Sequence, residues 1–234
     1  MSSSPNLVCP SFNSAGANSS FCLPQDLFFC FSVLNSRMSS HSLVSFLYFV
    51  YCSWVDQCKS YLLESKWFHT GYKATLAGYL DNGCISVAGT LLDFHVYVSM
   101  TPRITKEALD YLQGYPDLIR WASMAFRIVD DFGTSEDELG RGDVPKAIQC
   151  YMHDTGVSFQ VAREQLRHLA NEAWKKQNRE QWVAKSPLPE SYVNAVTDLT
   201  RRAEIFYQYE DGFGIPDNET ENRIRSLMVD PIPL

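Results

Sequence analysis

The sequence predicts an all-α fold, and three stretches with the 3.6-residue periodicity of an amphipathic helix predict it. Between Trp54 and Phe68, the residues Trp54, Cys58, Tyr61, Leu62, Ser65 and Phe68 mark one helical face, and Asp56, Gln57, Lys59, Glu64 and Lys66 mark the other. From Ser158 to about Gln177, Ala162, Leu166, Leu169, Ala170 and Ala173 share a side, with Arg163, Glu164, Arg167 and Lys175 opposite. From Pro189 to Tyr207, Tyr192, Val196, Leu199, Ala203 and Phe206 recur at the same spacing. The last two stretches read as scaffold. No strand pairing is expected beyond incidental turns.

Taken in order, residues 1–52 stand apart from the remainder of the chain. They are rich in Ser and Asn, with Asp26 and Arg37 nearly their only charges. The apolar bursts Leu27–Leu34 and Leu43–Val50 are well short of the ~18 residues that cross a bilayer. An organelle-targeting segment would be Ser-rich and acid-poor, but also Arg-rich and amphipathic. The segment is therefore expected to be unrelated to the domain after it and to lack stable packing against it, with targeting as the alternative. At Trp54 the texture changes, and 53–234 reads as the domain proper. Ile85 to Thr90 is a small-residue stretch within an apolar helix, where Gly89 allows either a kink or close helix contact. Asp93 interrupts the apolar run Leu91–Met100 and needs a partner if buried. Thr105–Leu112 is a short helix, and Pro116 opens the next one. Gly142, Asp143 and Pro145 stop and restart the chain, with Asp143 able to cap the following helix.

The chain has 234 residues, 45% hydrophobic and 13% aromatic, enough for a substantial core. A net charge of −7 argues against a general nucleic-acid binder, since phosphate backbones demand basic surfaces. Seven cysteines without Cys-x-x-Cys spacing read as free thiols. No zinc pattern, glycine-rich phosphate loop or membrane span is evident in the sequence. Without such a loop, any phosphate binding would have to come from a metal and basic side chains.

The chemistry concentrates between Arg127 and Lys146. At about 100° per residue, Asp130, Thr134 and Glu138 fall within about 80° on one helix face, and Arg127 projects into the same arc. Oxygen donors of this kind suit a hard cation. A guanidinium beside them makes sense if an anion completes the shell, because Mg2+ fills its octahedron with water and phosphate oxygens and Arg binds phosphate in bidentate fashion. The same spacing also describes a solvated helix face. An EF-hand does not fit, because Phe132 and Gly133 occupy positions where that loop needs ligands.

The literal string resolves the choice. Val-Asp-Asp-Phe-Gly-Thr-Ser-Glu-Asp-Glu, followed by Arg-Gly-Asp-Val-Pro-Lys-Ala-Ile-Gln-Cys-Tyr-Met, resembles the second metal motif of plant class I terpene synthases. The resemblance begins at Trp-Val-Asp-Gln-Cys-Lys-Ser-Tyr-Leu-Leu-Glu-Ser-Lys-Trp-Phe and runs to the C-terminus, about three-quarters of the chain. It implies a partial class I terpenoid synthase helical bundle, the C-terminal part of the catalytic domain. Asp130, Thr134 and Glu138 would be metal ligands, and Arg127 and Lys146 would bind diphosphate. Tyr207 and Asp211 match catalytic positions in the family's Tyr-Gln-x-Gly-Asp-Gly loop, where Glu210 replaces a Gly. Ala74 to Leu80 lacks the Pro and two Glu that usually open its helix, so that helix is expected to be weak.

The resemblance also implies Mg2+ as cofactor, with Mn2+ possible, and an allylic prenyl diphosphate substrate such as geranyl diphosphate, ionised to a carbocation and quenched to a terpene. The texture is most like acyclic monoterpene synthases making myrcene, ocimene or linalool. A plastid stromal location is implied in that case, with the cytoplasm as alternative. The facing Asp-Asp-x-x-Asp motif of the family does not occur in this sequence. Impaired turnover is therefore expected. The alternative is a catalytically inactive helical fragment that associates with a full-length relative.

Overall fold

The structure is a computed structural model. It describes residues 40–101, 103–140, 142, 144–182, 186–208 and 218–229, and within them not the side chains of 40–43, 45, 136–139, 220 and 227. The described elements are α1 (Ser40–Thr70), α2 (Leu76–Ser86), α3 (Gly89–Met100), α4 (Lys106–Gln113), α5 (Asp117–Gly140), α6 (Ala147–Thr155), α7 (Phe159–Glu180), α8 (Glu190–Phe206) and α9 (Asn218–Met228). No strand occurs among the described residues, and the fold is all-α.

Helix α5 is the centre, packing against α2, α3, α6, α7 and α8. Ile119, Ala125 and Ile128 along it are wholly buried. One core cluster joins Phe94 and Tyr97 of α3, Leu109 and Leu112 of α4, Ile119 of α5, and Tyr192 and Val196 of α8. A second joins Tyr79 and Leu80 of α2, Ile128 of α5, Ile148 and Cys150 of α6, and Ala162 and Leu166 of α7. The scaffold faces expected on α7 and α8 are the ones that pack: Ala162, Leu166, Ala170, Ala173, Tyr192, Val196 and Ala203 are all buried. Cys58, Cys84 and Cys150 form no disulfide among the described residues.

The boundary expected at residue 52 is not a structural one. Helix α1 runs through it without a break. Phe46 and Phe49 are 6% and 2% exposed and belong to the first core cluster. Phe49 meets Phe94 with ring centroids 4.6 Å apart. Burying one such side chain stabilises by about 1.5–3 kcal/mol, so residues 46–52 belong to the domain. Residues 1–39 lie outside the described residues.

The side of α1 that packs also differs from its apolar stripe. Trp54, Tyr61, Leu62 and Phe68 are half exposed, while Ser53, Gln57 and Ser60 are buried. Hydrogen bonds make that polar side a packing face. Gln57 Nε2 donates to the Ser86 carbonyl at 3.1 Å, and Asn82 Nδ2 donates to the Ser60 carbonyl at 3.2 Å and to Glu64 Oε1 at 3.0 Å. Ser86 Oγ also donates to Glu64 Oε1. These bonds offset much of the cost of taking the polar groups out of water, although Gln57 Oε1 is buried without a partner.

Helix α2 forms without the acidic first turn whose loss was expected to weaken it. Thr75 is its N-cap, with the side chain accepting from the Gly78 amide at 3.2 Å. Asp154 of α6 accepts from the Leu76 amide at 2.7 Å, placing a carboxylate at the positive end of the helix from outside it. The stretch Leu76–Met100 has the length and apolarity of a membrane-crossing helix. It is broken, however, at Ala88, whose φ of 61° lies in the left-handed region. Of the two roles open to Gly89, the kink thus falls one residue earlier. Gly89 serves for close contact instead: a Cβ there would come within 3.1 Å of Ser123 Oγ on α5.

Candidate metal and diphosphate site

Helix α5 continues unbroken through the acidic cluster, which fixes the register of its side chains. Arg127 Nη1 lies 3.3 Å from Asp130 Oδ2, and Arg127 Nη2 donates to Asp131 Oδ1. Asp131 is completely buried. Its carboxylate accepts from Tyr79 Oη at 2.9 Å on each oxygen and from the Ala147 amide at 3.0 Å. The neighbouring aspartates therefore have different work: Asp131 ties α2, α5 and α6 together, and Asp130 faces the candidate site.

Electrostatics hold Arg127 and Tyr79 protonated. Burial alone would lower the Arg127 pKa, but the charge of Asp131, with smaller contributions from Tyr79 and Asp130, holds it well above its ordinary value. Burial, then the Asp131 charge, pushes Tyr79 well above the usual phenol range, so it remains a donor. The Arg127 guanidinium also lies over the Tyr79 ring, 5.6 Å from its centroid. Gly83 of α2 makes room for the arginine stem, since a Cβ there would meet Arg127 Cγ at 3.1 Å. Arg127 Nε is buried with no hydrogen-bond partner, a donor of the kind an anion satisfies.

Thr134 is buried at 6% exposure, one turn beyond Asp130. Lys146, 8% exposed, is the N-cap of α6 rather than an ordinary surface lysine. The capping role expected of Asp143 lies outside the described residues. Within them, Asp131 takes the Ala147 amide and Gln149 Oε1 takes the Lys146 amide at 3.1 Å. Pro145 precedes α6 instead of sitting in its first turn. Tyr207 caps the end of α8, with its ring 6.4 Å from that of Phe126. The side chain of Glu138, and Asp211 altogether, lie outside the described residues.

The donor chemistry fits a hard divalent ion in part. Asp130 has a carboxylate and Thr134 a hydroxyl on one helix face, and Arg127 Nη1 lies beside Asp130. Asp131 has its acceptor positions engaged and does not fit as a ligand. No group of three or more His, Cys, Asp or Glu able to hold a metal occurs among the described residues. Sequence reasoning missed Asp131 and Tyr79. The adjacent acid pair was visible, but Tyr79 lies too far away in sequence to signal its role.

A model of the metal-binding domain of the terpene synthase family matches residues 23–176, beginning well before the boundary expected at 52. The chloroplastic myrcene synthase of Quercus ilex is 42% identical over 219 residues, 91% of this chain and 36% of its own length. A limonene synthase crystallised with 2-fluorolinalyl diphosphate superposes with a TM-score of 0.81 at 33% identity, covering 88% of this chain and 37% of the other. Isoprene synthase from grey poplar, in complex with three Mg2+ ions and dimethylallyl-S-thiolodiphosphate, superposes with a TM-score of 0.72 at 30% identity, covering 90% and 41%. The chain spans about a third of the length of the curated relatives it matches.

Proposed function

Because the chain belongs to the terpene synthase family, we propose that it supplies the second-motif wall of a site where an allylic prenyl diphosphate, geranyl diphosphate first, is ionised. The observation that carries this is the Arg127–Asp130 pair beside buried Thr134 on α5. Asp130 and Thr134, with Glu138, would hold the divalent ion, Mg2+ in the first instance and Mn2+ as the alternative. When bound, such an ion offsets charge on the departing diphosphate. Lys146 would contribute positive charge and Arg127, held between Asp130 and Asp131, would contribute hydrogen-bond donors, which would lower the barrier to breaking the allylic C–O bond. Tyr207, next to Phe126, would border the carbocation, and Asp211 would lie in the segment that closes over it. Aromatic faces stabilise such charge by up to about 2 kcal/mol. Loss of a proton or capture of water ends the reaction.

The bound analogues named for the limonene and isoprene synthases support a prenyl diphosphate, and the three Mg2+ ions of the latter support the metal. The chloroplastic relatives support a plastid location; within it we place the chain in the stroma, with the cytoplasm as the alternative. The test is calorimetric titration with inorganic diphosphate, with and without Mg2+. Metal-dependent binding that is lost in Asp130→Ala supports the site, whereas metal-dependent binding indifferent to Asp130→Ala and Thr134→Ala sinks it.

A second reading, a fragment that associates with a full-length relative, is favoured by one observation. Along α1, Val44, Tyr51, Trp54, Tyr61 and Leu62 are 50% or more exposed, a contiguous apolar stripe of the kind that marks interaction surfaces. Failure of the chain to co-elute with a full-length family member at micromolar concentration would dismiss it.

A further inference from the structure

A cavity of about 730 Å³ opens between α5, α7 and α8, on the side of α5 away from the metal ligands. Phe132 lines it and leaves the helix about 160° from both Asp130 and Thr134. Over this ring lie two guanidinium groups from successive turns of α7, Arg163 at 5.7 Å and Arg167 at 6.0 Å from the centroid. Neither has a carboxylate partner among the described residues. Arg201 of α8 reaches the opposite wall ion-paired with Asp198 at 3.0 Å, beside Glu204. The positive charge of the lining therefore sits at Arg163 and Arg167. Trp174 also lines the cavity, and its Nε1 is buried without a hydrogen-bond partner.

Each feature has a physical consequence. Cation–π attraction to one ring draws both guanidiniums to the same wall of the cavity. Two adjacent guanidiniums without carboxylates match the bidentate geometry of phosphate oxygens. The volume is in the range that encloses an organic molecule, and Val129 and Ile205 add apolar surface beside the charges.

We propose that this cavity is a second, metal-independent site for phosphate compounds: the phosphate group lies at Arg163 and Arg167, and an apolar chain runs along Phe132 and Val129. Two sources share this chemistry, a prenyl diphosphate and free diphosphate. The phosphate end, at Arg163 and Arg167, lies across α5 from Asp130 and Thr134, while Tyr207 lines the same cavity; metal-independent binding there does not depend on the metal assignment.

Titration calorimetry of the whole chain in EDTA, at about 0.15 M NaCl to screen loose surface contacts, tests it. The probes are geranyl diphosphate, inorganic diphosphate and sulfate. Saturable binding is expected without metal, weakened about tenfold or more by Arg163→Gln/Arg167→Gln and unchanged by Asp130→Ala. Arg167→Gln alone, at an exposed position, carries the same test with less risk to folding. Tighter binding of geranyl diphosphate assigns the site to the prenyl compound, and equal affinity assigns it to free diphosphate. Absence of saturable binding in EDTA, equal competition by sulfate, or indifference to the arginine variants overturns the proposal. Metal-dependent binding lost in Asp130→Ala but kept in the arginine variants would show the metal site standing without this one.

Discussion

Asp130 and Asp131 leave α5 about 100° apart, and that angle sends one carboxylate to a candidate metal and the other into the core. Removing one partner of a buried ion pair strands the other charge, at about 3–5 kcal/mol. Asp131→Ala is therefore expected to lose stability of that order in urea unfolding, because Arg127, Tyr79 and the Ala147 amide all lose their acceptor. Asp130→Ala should unfold within about 1 kcal/mol of the parent, its loss falling instead on metal-dependent diphosphate binding. The sequence shows two acids side by side and cannot rank them; residues on α2 and α6 make the difference. Asp93 presents the converse problem. It is 2% exposed, its Oδ1 has no partner, and burial raises its pKa well above the usual carboxylate range. The unfolded chain titrates near pH 3.9. Above that, the folded state retains a proton that the unfolded state has lost, so stability falls as pH rises toward the folded value. Thermal unfolding followed from about pH 4 to about pH 8 should show Tm falling in the parent and a flatter profile in Asp93→Asn.

At the scale of elements, periodicity reported faces well and coverage poorly. On α7 and α8 the apolar face is also the packed face, so their role was legible from spacing alone. On α1 the two come apart. Its polar side is buried because Gln57, the Ser60 carbonyl and Glu64 find hydrogen-bond partners on α2, and no pattern within α1 signals those partners. The same helix shows why residue 52 looked like a boundary. Composition changes there, but Phe46 and Phe49 continue the core on the same helical register. Phe49→Ala should therefore destabilise the domain by about 3–5 kcal/mol. An unchanged denaturation midpoint would show that the first turns of α1 are not part of the cooperative unit.

For the whole molecule, the question is how much catalysis one wall of a metal site supports. The arc Arg127, Asp130, Thr134 was legible because a helix converts sequence spacing directly into angle. A facing set of acids belongs to a different helix, and no Asp-Asp-x-x-Asp string occurs in this chain. With the second motif alone, charge on a departing diphosphate is only partly offset, and loss of a single stabilising donor in such a site already costs about 3–4 kcal/mol. Each 1.4 kcal/mol is about a factor of ten in rate. The 234-residue chain, incubated with geranyl diphosphate and Mg2+, is therefore expected to yield volatile terpenes at least about a hundredfold more slowly than a full-length family member. Gas chromatography of the headspace measures this directly. A rate equal to that of the full-length enzyme would mean that other carboxylates of this chain take the place of the facing motif.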